Sequence, residues 1–343
     1  MYTYNARARR TPPARDGWPV LPVRHRPSRG LPPGCEDESV RVLVTGANGY
    51  LGRAVIEALE AAGHDPIAMV RKAASSIHVA TRVADLLDEV RLRAALDGVE
   101  AVCHLAGLTR ARESTVDPVP YFRTNTAGTI ALLDAMAAMG VSRILFASTG
   151  SIYGTPERQP MTEDLPDAPP HPYAASKLAA ELAINAQAQA GNLSAVVLRL
   201  MNLAGGIDPD PTRLVPRVLA AARNGSALEI NGDGSTVRDY LHIADAAAAF
   251  VASVENMPPV GAATRYNIGS GHGTSILDVA AAAERVTGRR IHRVHRPPVS
   301  EPAALISDSF RAIAELSWRP MHSDIEGIVR DTWVHGLLST ERA

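Results

Sequence analysis

The sequence has 343 residues, of which 46% are hydrophobic and 21% are charged, and its net charge is −1. This balance is typical of a soluble α/β chain and does not suggest a nucleic-acid partner. No apolar stretch is long enough to cross a bilayer, and the N-terminus lacks the continuous hydrophobic segment of a secretory signal. We therefore expect a cytoplasmic protein without a membrane partner.

The first 38 residues are rich in Arg and Pro and should not fold by themselves. We expect a disordered extension there, which could contact an acidic partner, be inert, or reflect a start codon assigned too early. The two cysteines are Cys35 and Cys103. Because Cys103 lies in an apolar run, a buried reduced thiol is expected and a disulfide or metal ligand is not. We predict no metal site.

From residue 40 onward, apolar strand and helix patterns alternate. Strands are predicted at about 40–45, 66–70, 79–84, 101–105, 143–148 and 194–199, and helices at about 51–62, 88–96, 120–139 and 173–190. Strict alternation predicts an α/β fold with a Rossmann-type, doubly wound parallel sheet over residues 39–200. Shorter elements over 201–338 predict a smaller substrate-binding lobe, with some segments returning to the first domain. The cleft should lie at the carboxyl ends of the strands.

The first predicted strand runs directly into a glycine-rich turn and a helix. Gly46, Gly49 and Gly52 have the spacing Gly-x-x-Gly-x-x-Gly. Glycines at such a turn let a pyrophosphate approach the amides at the helix N-terminus. A plain strand-to-helix turn would have the same composition, so this motif alone is weak evidence for dinucleotide binding.

Tyr173 and Lys177 are four residues apart in a predicted helix, and this spacing puts both side chains on one face. A phenol titrates near ~10, but a fixed cation beside it favours the phenolate and lowers that pKa. The pair is thus a candidate proton shuttle that could take a proton from an alcohol. Taken alone, the same pattern also occurs on ordinary helix surfaces.

Together these motifs resemble the extended branch of the short-chain dehydrogenase/reductase superfamily, the NAD(P)-dependent nucleotide-sugar epimerases and dehydratases, and within it the UDP-glucose 4-epimerase group. Further matching segments occur in the family's order and span residues 40 to about 335. They are Asp85-Leu86, His104-Leu105-Ala106-Gly107, Asn125-Thr126-Ala127-Gly128-Thr129, the stretch 147–154, the stretch 232–242 and the stretch 266–271.

The resemblance implies roles for individual residues. It implies that Tyr173 is the catalytic base, that Lys177 binds the nicotinamide ribose and lowers the tyrosine pKa, and that Thr149 shares a hydrogen bond with the reacting oxygen. Ser148 is the alternative to Thr149 if the register differs by one. The cofactor-binding residues implied are Gly46, Asn48, Gly49, Tyr50, Leu51, Gly52, Arg71, Asp85, Leu86, Leu105, Ala106, Gly107 and Asn125, besides Tyr173 and Lys177.

The implied substrate is a nucleotide-diphosphate sugar. Arg238 matches the family's phosphate-binding arginine, and Asn202 matches the asparagine that contacts the nucleotide sugar. Arg296 stands near the family's second arginine, but the surrounding Arg-x-Gly-Asp pattern is absent. A surface ion pair with Asp239 for Arg238 and a satisfied loop amide for Asn202 are the structural alternatives. With Ser148 and Thr149, these three complete the predicted substrate-binding set.

The cofactor is left open between NAD and NADP. NAD enzymes of this type end the second strand with an acidic residue that binds the adenosine ribose, whereas here Arg71-Lys72 follow that strand. An arginine can pair with the 2′-phosphate of NADP. The alternative is that both residues are only a solvated strand end.

Three functions compete. Family dehydratases carry Asp-Glu after the catalytic Thr, and Gly150-Ser151 stand here, which disfavours dehydration. The first candidate is then a nucleotide-sugar 4-epimerase that oxidises C4 transiently and returns the hydride. The second is an NADPH-dependent 4-keto-sugar reductase or related dehydrogenase. A non-catalytic dinucleotide sensor is the third, and the presence of Tyr173 disfavours it. In the family the two Ala-rich helices near 120–139 and 173–190 pair across a two-fold axis, so a homodimer is expected.

Overall fold

The computed structural model describes residues 39–73 and 77–340, so the expected extension over residues 1–38 lies outside it. The first half alternates strands and helices: β1 (Arg41–Thr45), α1 (Tyr50–Ala61), β2 (Asp65–Val70), β3 (Thr81–Val83), α2 (Glu89–Ala95), β4 (Ala101–His104), α3 (Ala111–Val116), α4 (Val119–Tyr121), a π-helical turn (Phe122–Ala127), α5 (Gly128–Met139), β5 (Arg143–Thr149), a 3₁₀ turn (Gly150–Tyr153), α6 (Pro172–Gln189) and β6 (Ser194–Leu200). The predicted strands and helices are confirmed to within a few residues.

The second half has shorter elements. They are β7 (Asn202–Ala204), α7 (Leu214–Asn224), β8 (Leu228–Asn231), β9 (Val237–His242), α8 (Ile243–Glu255), β10 (Ala263–Ile268), β11 (Gly273–Ser275), α9 (Ile276–Thr287), β12 (Arg293–Arg296), β13 (Ala304–Leu305), α10 (Phe310–Glu315) and α11 (Ile325–Thr340). None of the helices in this description is long and apolar enough to span a membrane.

Seven strands form the central sheet in the order β10-β6-β5-β4-β1-β2-β3, and every pair in it is parallel. The chain starts in the middle, winds to one edge through β2 and β3, and then returns through β4 to the other side. This is the doubly wound Rossmann-type arrangement, so the predicted fold class is confirmed. The reversal between β1 and β4 leaves a crevice at the carboxyl ends of the strands.

Both faces of the sheet are buried, because successive strand residues point to opposite sides. Val42 and Val44 of β1 pack with Leu59 of α1 and Phe250 of α8. Leu43, between them, belongs to the cluster on the other face, which includes residues of α5 and α6. Cys103 of β4 is fully buried and free, so the predicted burial of this thiol is confirmed.

A third cluster forms the core of the smaller lobe. It joins Val218 of α7, Ala280 of α9 and Ile328 of α11. Strand β9 is paired with β11 antiparallel and with β7 and β13 parallel, and β8 and β12 form a separate parallel pair. Strand β10 lies within this half of the sequence but pairs with β6 in the central sheet. The chain thus crosses between the two lobes more than once.

Candidate active site

A cleft of about 1360 Å³ opens at the carboxyl ends of the parallel strands. Its walls include the residues that follow β1, β2, β3 and β4 and the last residues of β5 and β6. Residues of the smaller lobe, among them Tyr240 and Leu305, contribute further wall. The cleft therefore lies where the topology predicts it, and it joins both lobes.

The glycine turn forms one end of the cleft. Gly46 has a φ of 69°, and a Cβ atom there would lie 2.8 Å from the backbone nitrogen of Ala106. A Cβ on Gly52 would lie 2.3 Å from the carbonyl oxygen of Gly46. Only glycine fits at these two positions, because the helix starts tightly against the turn.

The first turn of α1 has no side-chain cap and no acidic residue. Helix termini leave several amides without intrahelical partners, and the helix dipole favours an anion beside them. These uncapped amides, next to a turn that only glycine can form, fit a pyrophosphate group well. Helix α9 provides a contrast, because Ser275 and Asp278 close its N-terminus in a capping box.

The cleft brings together most of the residues that the sequence predicts for cofactor binding. Those that line it are Gly46, Asn48, Gly49, Tyr50, Leu51, Gly52, Arg71, Asp85, Leu86, Leu105, Ala106, Gly107, Tyr173 and Lys177. Asn125 does not line the cleft and is 1% exposed. Its carboxamide accepts a bond from the Leu108 amide at 2.8 Å and donates to the Leu108 carbonyl at 3.0 Å. Asn125 thus holds the backbone beside the cleft.

Asn125 lies in the π-helical turn between α4 and α5. Its side chain also donates to Ser176 of α6 at 2.9 Å. Such turns are often found at functional sites, because the extra residue redirects side chains. Here the turn connects the loop after β4 to the helix that carries Tyr173 and Lys177.

Tyr173 lies in the first turn of α6 and lines the cleft together with Thr149, the last residue of β5. Burial raises the pKa of Tyr173, whereas a hydrogen bond with Thr149 and the positive charge of Arg213 act to lower it. Thr149 Oγ1 also accepts a bond from the Ser151 amide at 3.2 Å, which fixes its position.

The Lys177 ammonium contacts a backbone carbonyl and an aromatic ring. It donates to the Ala147 carbonyl at 2.8 Å and lies 4.6 Å from the centre of the Phe146 ring. Burial lowers the pKa of Lys177 to about 8, and the charge of Glu181 opposes that shift. Burial raises the pKa of Tyr173, and the role of Lys177 in lowering that pKa stays a prediction.

Ser148 lines the cleft, but its hydroxyl bonds to a buried residue behind the cleft wall. Its hydroxyl donates to the buried carboxylate of Glu181, which also receives two bonds from the Arg199 guanidinium, at 3.0 and 2.7 Å. Because the hydroxyl hydrogen of Ser148 is committed to Glu181, Thr149 is the better group for sharing a hydrogen bond with a reacting oxygen. This agrees with the register in which Thr149, and not Ser148, has that role.

The predicted substrate residues are not all in one place. Asn202 lines the cleft, in the first position of β7. Arg238 lies on β9 and forms an ion pair with Glu301 at 2.7 Å. An ion pair was the structural alternative for this residue, although the expected partner was Asp239. Arg296 lines a second cavity of about 690 Å³ and pairs with Glu229 at 2.5 Å.

Arg213 and Asp208 were missed by the sequence reasoning, although both line the cleft. The guanidinium carbon of Arg213 lies 5.3 Å from the centre of the Tyr50 ring, and the ion pair with Asp208 measures 3.4 Å. These residues come from the loop between β7 and α7. The only sequence signal was an alternation of Asp, Pro and Arg there, which is also common in surface loops.

Histidines serve structural purposes near the cleft. His104 is buried, with its ring nitrogens 2.8 Å from Thr45 Oγ1 and 2.9 Å from Thr129 Oγ1. Burial lowers its pKa to about 3, with a smaller contribution from Lys177. His104 is thus a packing histidine with both ring nitrogens satisfied. Over residues 39–73 and 77–340, no group of three or more His, Cys, Asp or Glu side chains is arranged to hold a metal ion.

The fold and the cleft define a dinucleotide-binding α/β protein with a tyrosine and a lysine at the N-terminal end of one helix. Residues 42–269 match the model of the NAD dependent epimerase/dehydratase family. The chain belongs to this family.

Similar proteins agree with this placement. The chain is 36% identical to the UDP-glucose 4-epimerase of Streptomyces lividans over 320 residues, which cover 86% of the chain and 95% of that protein. It is 35% identical to the enzyme of the same name from Lacticaseibacillus casei, covering 85% of the chain and 95% of that protein.

Solved structures match as well. A UDP-glucose 4-epimerase from Stenotrophomonas maltophila, with bound NAD and formylated UDP-arabinopyranose, has a TM-score of 0.83 at 28% identity, covering 89% of this chain and all of that one. The Brucella ovis UDP-glucose 4-epimerase in complex with NAD has a TM-score of 0.82 at 32% identity, covering 87% and 98%.

Proposed function

We propose that this protein is a nucleotide-sugar 4-epimerase. The observation that carries the proposal is that Tyr173, Thr149 and Lys177 line the same cleft as the uncapped glycine turn. Reversible oxidation of a bound alcohol requires groups that transfer its proton, here Tyr173 and Thr149, and a pyrophosphate site for the dinucleotide in the same cleft. The similar proteins carry the same activity in their names.

In this proposal Tyr173 takes the proton of the sugar's C4 hydroxyl and later returns it. Thr149 shares a hydrogen bond with the same oxygen as charge builds up there. Lys177 holds the dinucleotide ribose, because its ammonium lies in the cleft one helical turn beyond Tyr173. A bound nicotinamide dinucleotide supplies the hydride acceptor for C4 and gives the hydride back to the other face of the sugar.

Dehydration is disfavoured at this site. Gly150 and Ser151 follow Thr149, so neither of the two positions after Thr149 carries a carboxylate that could protonate a leaving hydroxyl. A Cβ on Gly150 would lie 2.5 Å from the Met201 sulfur, so the position itself is sterically restricted. Epimerisation needs only the proton and hydride transfers already described.

We infer that the substrate is a UDP-sugar, as it is in the names of the similar enzymes. Asn202 would contact it in the cleft. Arg238 would bind the diphosphate after exchanging its bond to Glu301 for one to phosphate, because a guanidinium pairs with either anion. Arg296, in the second cavity, would contact the nucleotide end.

We infer that the cofactor site accepts NADP as well as the NAD that is bound in the similar structures. Arg71 and Lys72 both line the cleft directly after β2, and both are exposed. No carboxylate of the described chain pairs with either of them. Two free cations where NAD enzymes place an acid suit the 2′-phosphate of NADP.

A 4-keto-sugar reductase is the second candidate, and the same two cations favour it. Net reduction uses a free reduced dinucleotide, and NADP is the form that cells keep largely reduced. The catalytic residues would be the same in both cases. The difference is whether hydride returns to the sugar from which it came.

We also propose that the protein forms a homodimer through helices 119–139 and 172–189. Phe122, Ile130 and Leu182 on these helices are 41%, 45% and 60% exposed. Large apolar side chains exposed together on neighbouring helices mark protein contact surfaces. A monomer in light scattering at micromolar concentration would contradict this part of the proposal.

The proposed reaction is tested with purified protein and UDP-glucose or UDP-galactose. We expect each sugar to be converted to the other without a net change of absorbance at roughly 340 nm, where reduced nicotinamide absorbs. Stoichiometric consumption of added NADPH with a 4-keto sugar would favour the reductase instead. Absence of both reactions would overturn the assignment.

A further inference from the structure

The first turn of α6 carries Tyr173, and its amides have a complete set of partners. The Ala174 amide donates to Nδ1 of the His171 side chain at 3.1 Å, and the Tyr173 amide donates to Ser114 Oγ at 3.1 Å. The Ala175 amide donates to the His171 carbonyl at 3.1 Å, and Pro172 has no amide hydrogen. His171 is thus the N-cap of the helix, through both its side chain and its backbone.

The His171 ring also contacts the phenol of Tyr173. The two rings are stacked, with centroids 5.8 Å apart and planes 15° from parallel. Tyr121 approaches the same phenol edge-on, with centroids 6.4 Å apart. Aromatic pairs in these two geometries attract each other, so Tyr173 is held from two sides.

Histidine is not among the preferred N-cap residues, which are Ser, Thr, Asp and Asn. Those residues could satisfy the Ala174 amide but have no ring to stack on Tyr173. Histidine is the residue that offers both an acceptor nitrogen and an aromatic ring. We propose that His171 is a positioning residue that holds the phenol of Tyr173 in its reactive orientation, and that it does so only while Nδ1 carries no proton.

The inference rests on the proposed function for its catalytic meaning, and it adds a pH dependence. Protonation of Nδ1 removes the acceptor for the Ala174 amide. Burial lowers the pKa of His171 below its ordinary value, against a smaller opposing effect of a backbone hydrogen bond. His171 is therefore neutral, and the cap is closed, at neutral pH. Below the pKa of His171 the cap opens and activity falls.

The elements in contact with α6 include α3, α4 and the π-helical turn. The titratable side chains on these three elements are Arg112, Glu113, Tyr121 and Arg123. None of them contributes to the pKa shift of His171.

Two variants separate the roles of cap and ring. His171→Asn keeps a capping acceptor that does not titrate and loses the ring, whereas His171→Phe keeps a ring and loses the cap. We expect the acid decline of kcat to disappear in His171→Asn. In His171→Phe we expect kcat to be about five- to tenfold lower at neutral pH, because the end of the helix that carries the Tyr173 phenol is no longer capped. In this variant kcat should change little on acidification. KM for the sugar nucleotide should stay within about twofold in both. His292→Asn, an exposed histidine of the smaller lobe, is the matched control and should behave as wild type.

A measurement without catalysis keeps the two proposals distinguishable. Amide hydrogen exchange of the peptide containing Ala174 is compared between wild type and His171→Asn at each pH, because the intrinsic rates then cancel. We expect equal protection at neutral pH and lower protection in wild type at acid pH. Equal protection at every pH, or an unchanged acid decline of kcat in His171→Asn, would overturn the role of His171. If wild type exchanges as expected but converts no sugar, the proposed function fails and the cap stands.

Discussion

The ammonium of Lys177 donates to the carbonyl of Ala147 at 2.8 Å, in the interior of the protein. The side chain is 2% exposed, and burial lowers its pKa from an ordinary 10.5 to about 8. The buried cation lines the cleft one helical turn beyond Tyr173. Its burial is destabilising, and that cost depends on pH.

Between pH 8 and about 10.5 the folded protein holds Lys177 neutral, whereas the unfolded chain holds it protonated. The unfolded state then binds more protons, so stability should rise with pH over this window. We expect wild type to gain roughly 2–3 kcal/mol relative to Lys177→Met on going from pH 7.5 to 10. Urea unfolding of both proteins at both pH values measures this, and the difference between them cancels the titration of other groups. A constant difference would show that the pKa of Lys177 is not lowered.

Replacement of Tyr173 by Phe tests the catalytic assignment. The change removes one oxygen and keeps the ring contacts with His171 and Tyr121. We expect the turnover number for UDP-sugar interconversion to fall about 10²- to 10⁴-fold, because general acid–base catalysis is lost. Dinucleotide binding and the thermal midpoint should change little.

Tyr266→Phe is the control for this test. This change also removes only a hydroxyl. The Tyr266 hydroxyl donates to the Glu315 carboxylate at 2.9 Å. Tyr266 does not line the cleft, so turnover should stay near wild type. Intact turnover in Tyr173→Phe would refute the assignment.

The sequence predicted the sheet and the position of the cleft, because alternating apolar patterns and glycine turns are local signals. It also predicted which face of α6 reaches the cleft, since the spacing of Tyr173 and Lys177 follows from helix geometry. The position of the Lys177 ammonium could not be predicted, because it depends on where a flexible four-carbon chain ends. That is decided by the Ala147 carbonyl, 30 residues away in sequence.

Long-range contacts account for the other differences. Arg213 reaches the cleft from a loop 40 residues after Tyr173, and no pattern in that loop marks it. The stacking of His171 on Tyr173 needs the backbone conformation before the helix, which the sequence does not reveal. The partner of Arg238 is Glu301, 63 residues away, and not the adjacent Asp239.

The two cations after β2, Arg71 and Lys72, allow a test of the cofactor preference. If Arg71 and Lys72 bind a 2′-phosphate, the double change Arg71→Gln and Lys72→Gln should weaken NADP binding about tenfold or more and leave NAD binding within about twofold. Fluorescence titration or calorimetry with each dinucleotide measures the two dissociation constants without any turnover. Arg290→Gln, an exposed arginine outside the cleft, is the control. Equal losses for both dinucleotides would mean that the two cations are only a solvated strand end.

The ion pair of Arg238 and Glu301 should compete with substrate. Arg238 also donates to the carbonyls of Val237 and Pro302, so its guanidinium stays in place when Glu301 is neutralised. If Arg238 binds the diphosphate, Glu301→Gln should tighten UDP binding several-fold, because the phosphate no longer displaces a carboxylate. Glu326→Gln, which neutralises the exposed partner of Arg285, is the matched control and should have no effect.

The double-mutant cycle makes this test specific. Arg238→Gln should weaken UDP binding, and in that background Glu301→Gln should no longer tighten it, since the two residues act through one contact. Calorimetric titration with UDP gives all four dissociation constants. An equal gain from Glu301→Gln with and without Arg238 would show that the gain comes only from a less negative surface. Arg238 would then be a structural residue of β9, and the diphosphate would need another cation, for which Arg213 in the cleft is the candidate.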